Sequence, residues 1–251
     1  MSEDLLTRTR KASSRRLVAL RSAIYMVVMV LSTCIIAWPV MLSIVLPLKY
    51  RYAVMRTWPR VNMWALEKIC GVRYTVKGRE NLPSEPSIVF AKHSSTWETI
   101  ALQMLIPPAV YVAKKELLYI PLFGWAMAVL NFLTIDRSAG RRAIRYLVDQ
   151  AVDRLGRGMW IIIFPEGHRM AIDAEPNYKI GGAMMAARTG APVVPVAHNA
   201  GVFWPRHSFL KWPGEITVSF LPPLQTEGKK ADVILAEAQQ AIETEFQALL
   251  K

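Results

Sequence analysis

Between Ala23 and Leu48 the chain carries no charged side chain, and this run, AIYMVVMVLSTCIIAWPVMLSIVLPL, limits its architecture more than any other feature. A helix needs about 20 apolar residues to cross the hydrocarbon core of a bilayer, and the run supplies them. It is too long for the apolar core of a secretory signal peptide, which would also end in a small-residue cleavage site. Its flanks are basic on both sides. Arg8, Arg10, Lys11, Arg15, Arg16 and Arg21 precede it, and Lys49, Arg51, Arg56 and Arg60 follow it. Positive charge is retained on the cytoplasmic side of a membrane, and here both ends claim that side. Pro39 lies within the run, where its missing N–H kinks or breaks a helix. Two arrangements fit: a helical pair that enters one leaflet, bends near Pro39 and leaves on the same side, or a single tilted transmembrane helix. Either one holds the protein at a membrane. The next stretch, Tyr52 to Ile69, mixes tryptophans, methionines and basic residues. It suits the headgroup interface, or a helix packed on the domain that follows.

Composition agrees with a lipid surface. Of 251 residues 53% are hydrophobic, yet the formal net charge is +12, which points to anionic partners. Anionic lipid fits better than nucleic acid, because a nucleic-acid binder has no use for a long uncharged run. The two cysteines, Cys34 and Cys70, lack metal-ligand spacing and make no disulfide framework, as expected on a reducing cytosolic face.

From Gly71 the pattern changes to short apolar runs alternating with helical periods, which divides the chain into 1–70, a basic and membrane-anchoring part, and 71–251, a catalytic-sized domain. Strands are expected at Val72–Val76, Ser87–Ala91, Ala109–Ala113, Leu130–Ile135, Met159–Phe164, Pro192–Ala197 and Ile216–Phe220. Helices are expected at Thr96–Leu105, Arg141–Leu155, Gly181–Thr189 and Ala231–Leu250, with Gly156 and Gly190 as stops. Alternation of this kind implies an α/β domain with a mixed, mostly parallel sheet flanked by helices. Met159–Phe164 is apolar throughout, as in a strand covered on both faces.

Functional residues in such sheets gather where strands end. The first candidate place is Lys92-His93-Ser94-Ser95-Thr96-Trp97-Glu98, directly after a buried strand. On a regular helix, residues five apart point roughly 140° apart, so His93 and Glu98 would not share a face. If His93 lies in the turn before the helix, Glu98 can fold back onto its ring, fixing the tautomer and stabilising the imidazolium. Ser95 to Glu98 also fits a helix capping box, which alone would account for Glu98, and His93 would then be a structural histidine. The second place is Phe164-Pro165-Glu166-Gly167-His168-Arg169, where Pro165 stops the strand and Gly167 permits a tight turn. Arg169 suits a phosphate, since its fork donates two parallel hydrogen bonds; an ordinary polar turn would look the same. His198 and His207 flank an aromatic stretch from Phe203 to Trp212, whose rings read as core, with His207 in a loop. His168 is a reserve acid or base.

In this order and separation the two places resemble the motifs of the glycerolipid acyltransferase family that includes the 1-acylglycerol-3-phosphate acyltransferases. The family's His, four residues and Asp becomes His93 to Glu98, which keeps the carboxylate and lengthens its arm. Its Phe-Pro-Glu-Gly-Thr-Arg-Ser is matched by Phe164, Pro165, Glu166, Gly167 and Arg169, with His168 and Met170 departing. Arg137, in Phe132-Leu133-Thr134-Ile135-Asp136-Arg137, looks like the arginine of a further motif, and Val194-Pro195-Val196 looks like the last. Lys114, before Lys115-Glu116-Leu117 and Ile120-Pro121-Leu122-Phe123-Gly124, resembles a family lysine that helps bind phosphate.

The resemblance implies His93 as a base oriented by Glu98, and Arg169, Glu166, Gly167, Lys114 and Arg137 around a substrate phosphate. The implied reaction moves a fatty acyl group from acyl-CoA or acyl carrier protein to the sn-2 hydroxyl of lysophosphatidic acid, giving phosphatidic acid. It implies no metal and no cofactor beyond the thioester co-substrate, and a place on membrane lipids at the cytoplasmic face of a bacterial inner membrane. Another lysolipid acceptor is an alternative. So is a membrane lipid esterase, although no G-x-S-x-G turn supplies its nucleophile. A non-catalytic lipid-binding protein would explain charge and anchor but not the paired motifs.

Overall fold

The uncharged run folds into one long helix, α1 (Arg15–Leu42), in a computed structural model that describes residues 14–135 and 141–251. Arg137 and the basic residues Arg8, Arg10 and Lys11 lie outside the described residues. Helix α1 continues through Pro39, and the helical pair forms with its reversal a few residues further on. Pro39 stands in the last turn, where its missing N–H forfeits one bond, and the Ser43 N–H reaches the Pro39 and Val40 carbonyls. The chain reverses only after Val45, through a 3₁₀ turn (Ser43–Val45) and Pro47, and returns as α2 (Leu48–Met55) and α3 (Thr57–Cys70). Polar rungs align α3 antiparallel to α1: Trp58 Nε1 donates to Thr33 Oγ1 at 2.9 Å and Asn62 Nδ2 to Ser32 Oγ at 3.0 Å. Gly71, at φ +70°, ends α3 in the left-handed conformation that only glycine adopts freely.

This hairpin has two faces. Val18, Tyr25, Ala37 and Val40 are buried against the remainder, while Leu31, Ile35, Trp38 and Leu42 are exposed. The span Arg15–Val45 is long and apolar enough to cross a membrane. Its inner face is fastened at the other end by Lys211, whose N–H donates to Ser22 Oγ at 2.9 Å. The Lys211 ammonium lies over the Trp204, Phe209 and Tyr25 rings at 4.7, 5.0 and 5.5 Å, and burial pushes it down to about 8.

Seven strands form one sheet: β1 (Val72–Lys77), β2 (Ile88–Ala91), β3 (Ala109–Lys114), β4 (Leu133–Ile135), β5 (Trp160–Ile163), β6 (Val193–His198) and β7 (Gly214–Phe220), in the order β1-β7-β6-β2-β5-β3-β4. Every neighbouring pair is parallel except β6 with β7. The mixed, mostly parallel sheet and its helical flanks are therefore as the sequence implies. Strand β4 starts three residues later than expected. Leu130 is held by α5 (Phe123–Val129) through its N–H to the Ala126 carbonyl, and Asn131 turns the chain at φ +56°.

Helices α4 (Trp97–Leu105), α6 (Arg141–Gly156), α7 (Gly181–Thr189), a short α8 (Ala200–Phe203) and α9 (Ala231–Leu249) complete the domain. Ile234, Ala238, Ile242 and Phe246, one per turn, face α9 inward onto the sheet and α7. The register decides where chemistry can occur. In the parallel pair β2 and β5, Phe90 stands opposite Ile163, so the segments that follow them emerge side by side at one sheet edge.

Helix α7 approaches that edge through Gly182, whose absent Cβ would lie 3.0 Å from the Phe90 ring and 3.1 Å from Ile163. Gly182→Leu is expected to destabilise the fold by about 1–3 kcal/mol through overpacking. Gly181→Ala, with nothing within 4 Å of its Cβ, should leave stability unchanged or raise it by up to about 1 kcal/mol. Urea midpoints of the two variants against the parent check this contrast.

Candidate active site

The segment after β2 does not continue into helix at once, and Glu98 is the reason. Its Oε1 accepts the Ser95 N–H at 2.9 Å, the Ser94 N–H at 3.1 Å and the His93 Nδ1 at 2.9 Å. The first two bonds tie the loop ahead of α4 to its first turn, while Ser95 Oγ accepts the Trp97 N–H at 3.1 Å. One oxygen of Glu98 thus contacts both the loop backbone and the His93 ring. Because Nδ1–H donates to a carboxylate, the other ring nitrogen, Nε2, is left as the basic one.

His93 is fixed from three further directions. Its ring stacks on Phe164 at 4.0 Å and 12°, its N–H donates to Glu166 Oε2 at 2.7 Å, and its carbonyl accepts the Met170 N–H at 2.7 Å. Both partner segments follow β5, so the parallel register is what brings the two motifs together.

Behind the histidine lies a buried polar layer. His198, at the end of β6, donates from Nε2 to the Lys92 carbonyl at 2.8 Å and accepts the Ala200 N–H at Nδ1 at 3.3 Å. The same Nε2 is 3.7 Å from Glu98 Oε2. Burial holds the His198 imidazole below its ordinary range. Burial alone would raise Glu98, but His198, His93 and the Ser95 N–H outweigh it and hold the carboxyl below its ordinary value. Lys92, 1% exposed, pairs with Glu166 Oε1 at 2.8 Å and with Glu243 Oε1, on α9, at 2.7 Å. The Tyr178 hydroxyl donates to Glu243 Oε1 at 2.9 Å. Desolvation raises the Glu166 carboxyl although Lys92 and the His93 N–H oppose it.

His93 opens onto a cavity of about 1030 Å³. Its lining includes the polar side chains Lys114, His168, Arg169, Lys179 and His207, and an apolar arm that takes in Ile36, Ala37 and Val40 of α1. The structure thus gathers His93, Lys114, Gly167 and Arg169 around one space, with Glu98 buried behind the His93 ring. Gly167, at φ +75°, makes the reversal that aims Arg169 back at it, a turn a side-chained residue would strain. Glu166, expected beside a phosphate, is fully buried and engages the His93 N–H and Lys92; a carboxylate so placed supports the loop, and would repel an anion. Arg137 lies outside the described residues. Sequence reading passed over Lys92 and His198 as site supports and Lys179 as a cavity cation. A lysine ending the apolar run IVFA was the one available signal for Lys92. Nothing local pairs it with Glu243.

Removing one partner of a buried ion cluster leaves the others uncompensated. Lys92→Met is therefore expected to cost about 3–5 kcal/mol, and adding Glu166→Gln to recover part of it. Chemical denaturation of the single and double variants measures both.

Comparison with known proteins follows the geometry. A family model described as Acyltransferase matches residues 73–199, from β1 to the residue after β6. A Pseudomonas aeruginosa protein named 1-acyl-sn-glycerol-3-phosphate acyltransferase is 40% identical over 198 residues, 78% of this chain and 77% of that one. A protein of the same name from Cocos nucifera is 31% identical over 195 residues, 76% of this chain and 63% of its own. In fold, the chain is similar to the crystal structure of the 1-acyl-sn-glycerophosphate (LPA) acyltransferase PlsC from Thermotoga maritima. The TM-score is 0.77 at 22% identity, covering 92% of this chain and 95% of that one. The match spans both motif-bearing loops and the strands that align them, and the chain belongs to the acyltransferase family.

Proposed function

We propose that the protein transfers a fatty acyl group from a thioester, acyl-CoA or acyl carrier protein, to the sn-2 hydroxyl of 1-acylglycerol-3-phosphate, forming phosphatidic acid. The observation that carries this reading is the 2.9 Å bond from His93 Nδ1 to Glu98, which leaves Nε2 as the free ring nitrogen beside a cavity lined by both cations and apolar side chains. Relatives named for this reaction support the acceptor.

In the proposed mechanism His93 Nε2 takes the proton of the acceptor hydroxyl as its oxygen attacks the thioester carbonyl. The tetrahedral intermediate collapses and the thiolate leaves, taking up the proton from His93. Glu98 holds the ring in the correct tautomer and stabilises the imidazolium while it exists. The stack on Phe164 and the bond to Glu166 limit ring motion, so little reorganisation accompanies proton transfer. Arg169 binds the acceptor phosphate, assisted by Lys114 and Arg137, and the apolar arm takes an acyl chain. The basic residues at both ends of the hairpin fit an anchor at the cytoplasmic face of a bacterial inner membrane.

Two variants separate chemistry from binding. His93→Ala is expected to lower kcat by about 10²–10⁴-fold with the acceptor still bound. Arg169→Ala should raise KM for lysophosphatidic acid about ten-fold or more with a smaller effect on kcat. Steady-state assays of purified protein, scored by product mass, read both. Full turnover by His93→Ala would end the proposal.

A further inference from the structure

Between β3 and α5 the chain passes through a 3₁₀ turn (Lys115–Tyr119) and then turns again at Leu122. It presents Tyr119, Ile120, Phe123 and Trp125 outward, with Tyr119 78% and Trp125 51% exposed. A cluster of this kind marks a surface that something covers. The backbone is held to show it. Leu122 adopts φ +63° and ψ −57°, a strained γ-turn closed by the Phe123 N–H on the Pro121 carbonyl at 2.7 Å. Gly124 then lets α5 lie directly on the Leu117 and Leu118 carbonyls, where a Cβ would collide.

The cluster continues an existing apolar surface. Helix α5 packs on α1, whose exposed face ends in Trp38, Leu42 and Val45. Arg51 ties the C-terminal end of α5 to the reversal after α1, donating to the Val129 carbonyl at 2.9 Å, Ile44 at 2.7 Å and Leu46 at 2.8 Å. Lys49, one residue into α2 after the reversal, is exposed. The apolar lining of the cavity draws on both elements, Ile36 and Val40 from α1 and Phe123, Ala126 and Met127 from α5.

We propose that the Tyr119–Trp125 segment is a second bilayer-inserting element, which with the end of α1 brackets the cavity's apolar arm so that it opens into the acyl layer. The inference rests on the membrane-bound reading above and adds to it a contact outside the hairpin. Its partner is a lipid surface with anionic headgroups: rings and aliphatic side chains enter the acyl layer, and Lys49 meets the headgroups. The acyl chain of a bilayer-resident acceptor then reaches His93 without crossing water.

The test uses the full chain with Cys34→Ser and Cys70→Ala, and one nitroxide label at a time on Tyr119→Cys, Val45→Cys or Gln240→Cys. Paramagnetic accessibility is read on vesicles of phosphatidylethanolamine and phosphatidylglycerol. Labels at 119 and 45 are expected to favour oxygen over an aqueous nickel chelate, while that at 240 on α9 reads as water. A water-like label at 119 beside a lipid-like one at 45 overturns the inference alone, and is the result a soluble protein partner would give. Water-like labels at both overturn the membrane-bound reading as well. In parallel, Tyr119→Asp with Trp125→Asp, neither of which lines the cavity, should lower turnover of vesicle-borne lysophosphatidic acid about ten-fold, since charge is unfavourable at that depth. Turnover in detergent micelles should stay within about two-fold, which also shows that the variant folds. Unchanged turnover on vesicles overturns the inference.

Discussion

One carboxylate oxygen, Glu98 Oε1, accepts three N–H groups, two from the backbone ahead of α4 and one from the His93 ring. The same charge therefore ends a loop, starts a helix and fixes a tautomer. The two backbone bonds place the Glu98 oxygen before His93 arrives, so the ring meets a preset acceptor. A carboxylate with fewer donors, buried as this one is, would take a proton and release the ring. The longer arm of Glu, compared with the Asp of the family pattern, allows Oε1 to reach around the turn while Oε2 points inward to His198.

A second layer holds this arrangement in the sheet. Lys92 follows β2, Glu166 follows β5, His198 ends β6 and Glu243 comes from α9, so one buried ammonium and one imidazole tie together segments far apart in sequence. An ion cluster of this kind adds little net stability compared with apolar packing. Its contribution is placement: Glu166 links the Lys92 ammonium to the His93 N–H. The acid that looked like a ligand in the sequence is a strut.

Much of this was legible beforehand, and for identifiable reasons. Continuous apolar runs found β2, β5 and β6 because both faces of those strands are covered, and Gly190 marked the end of α7 as written. Helix α5 was hidden because Phe123–Val129 is short and partly exposed, with no apolar stripe to betray it. The helical pair reverses at Ser43–Pro47 and not at Pro39, because a proline close to a helix end forfeits little. At the site, His93, Glu98 and Arg169 could be named from motif spacing. Lys92 with Glu243 and His198 with Glu98 could not, since such pairs exist only once strand register is set.

The sheet order has a consequence for assembly. Strand β1, at one edge, pairs only with β7, so the first strand of the domain must wait for the last. Loop-closure entropy delays such distant pairings, and unpaired edges invite aggregation meanwhile. The α1–α3 hairpin, by contrast, is joined by local contacts and is synthesised first. A nascent chain of this design can pair its apolar hairpin while the domain still lacks the strand that completes it, so the two parts of the molecule close on different schedules.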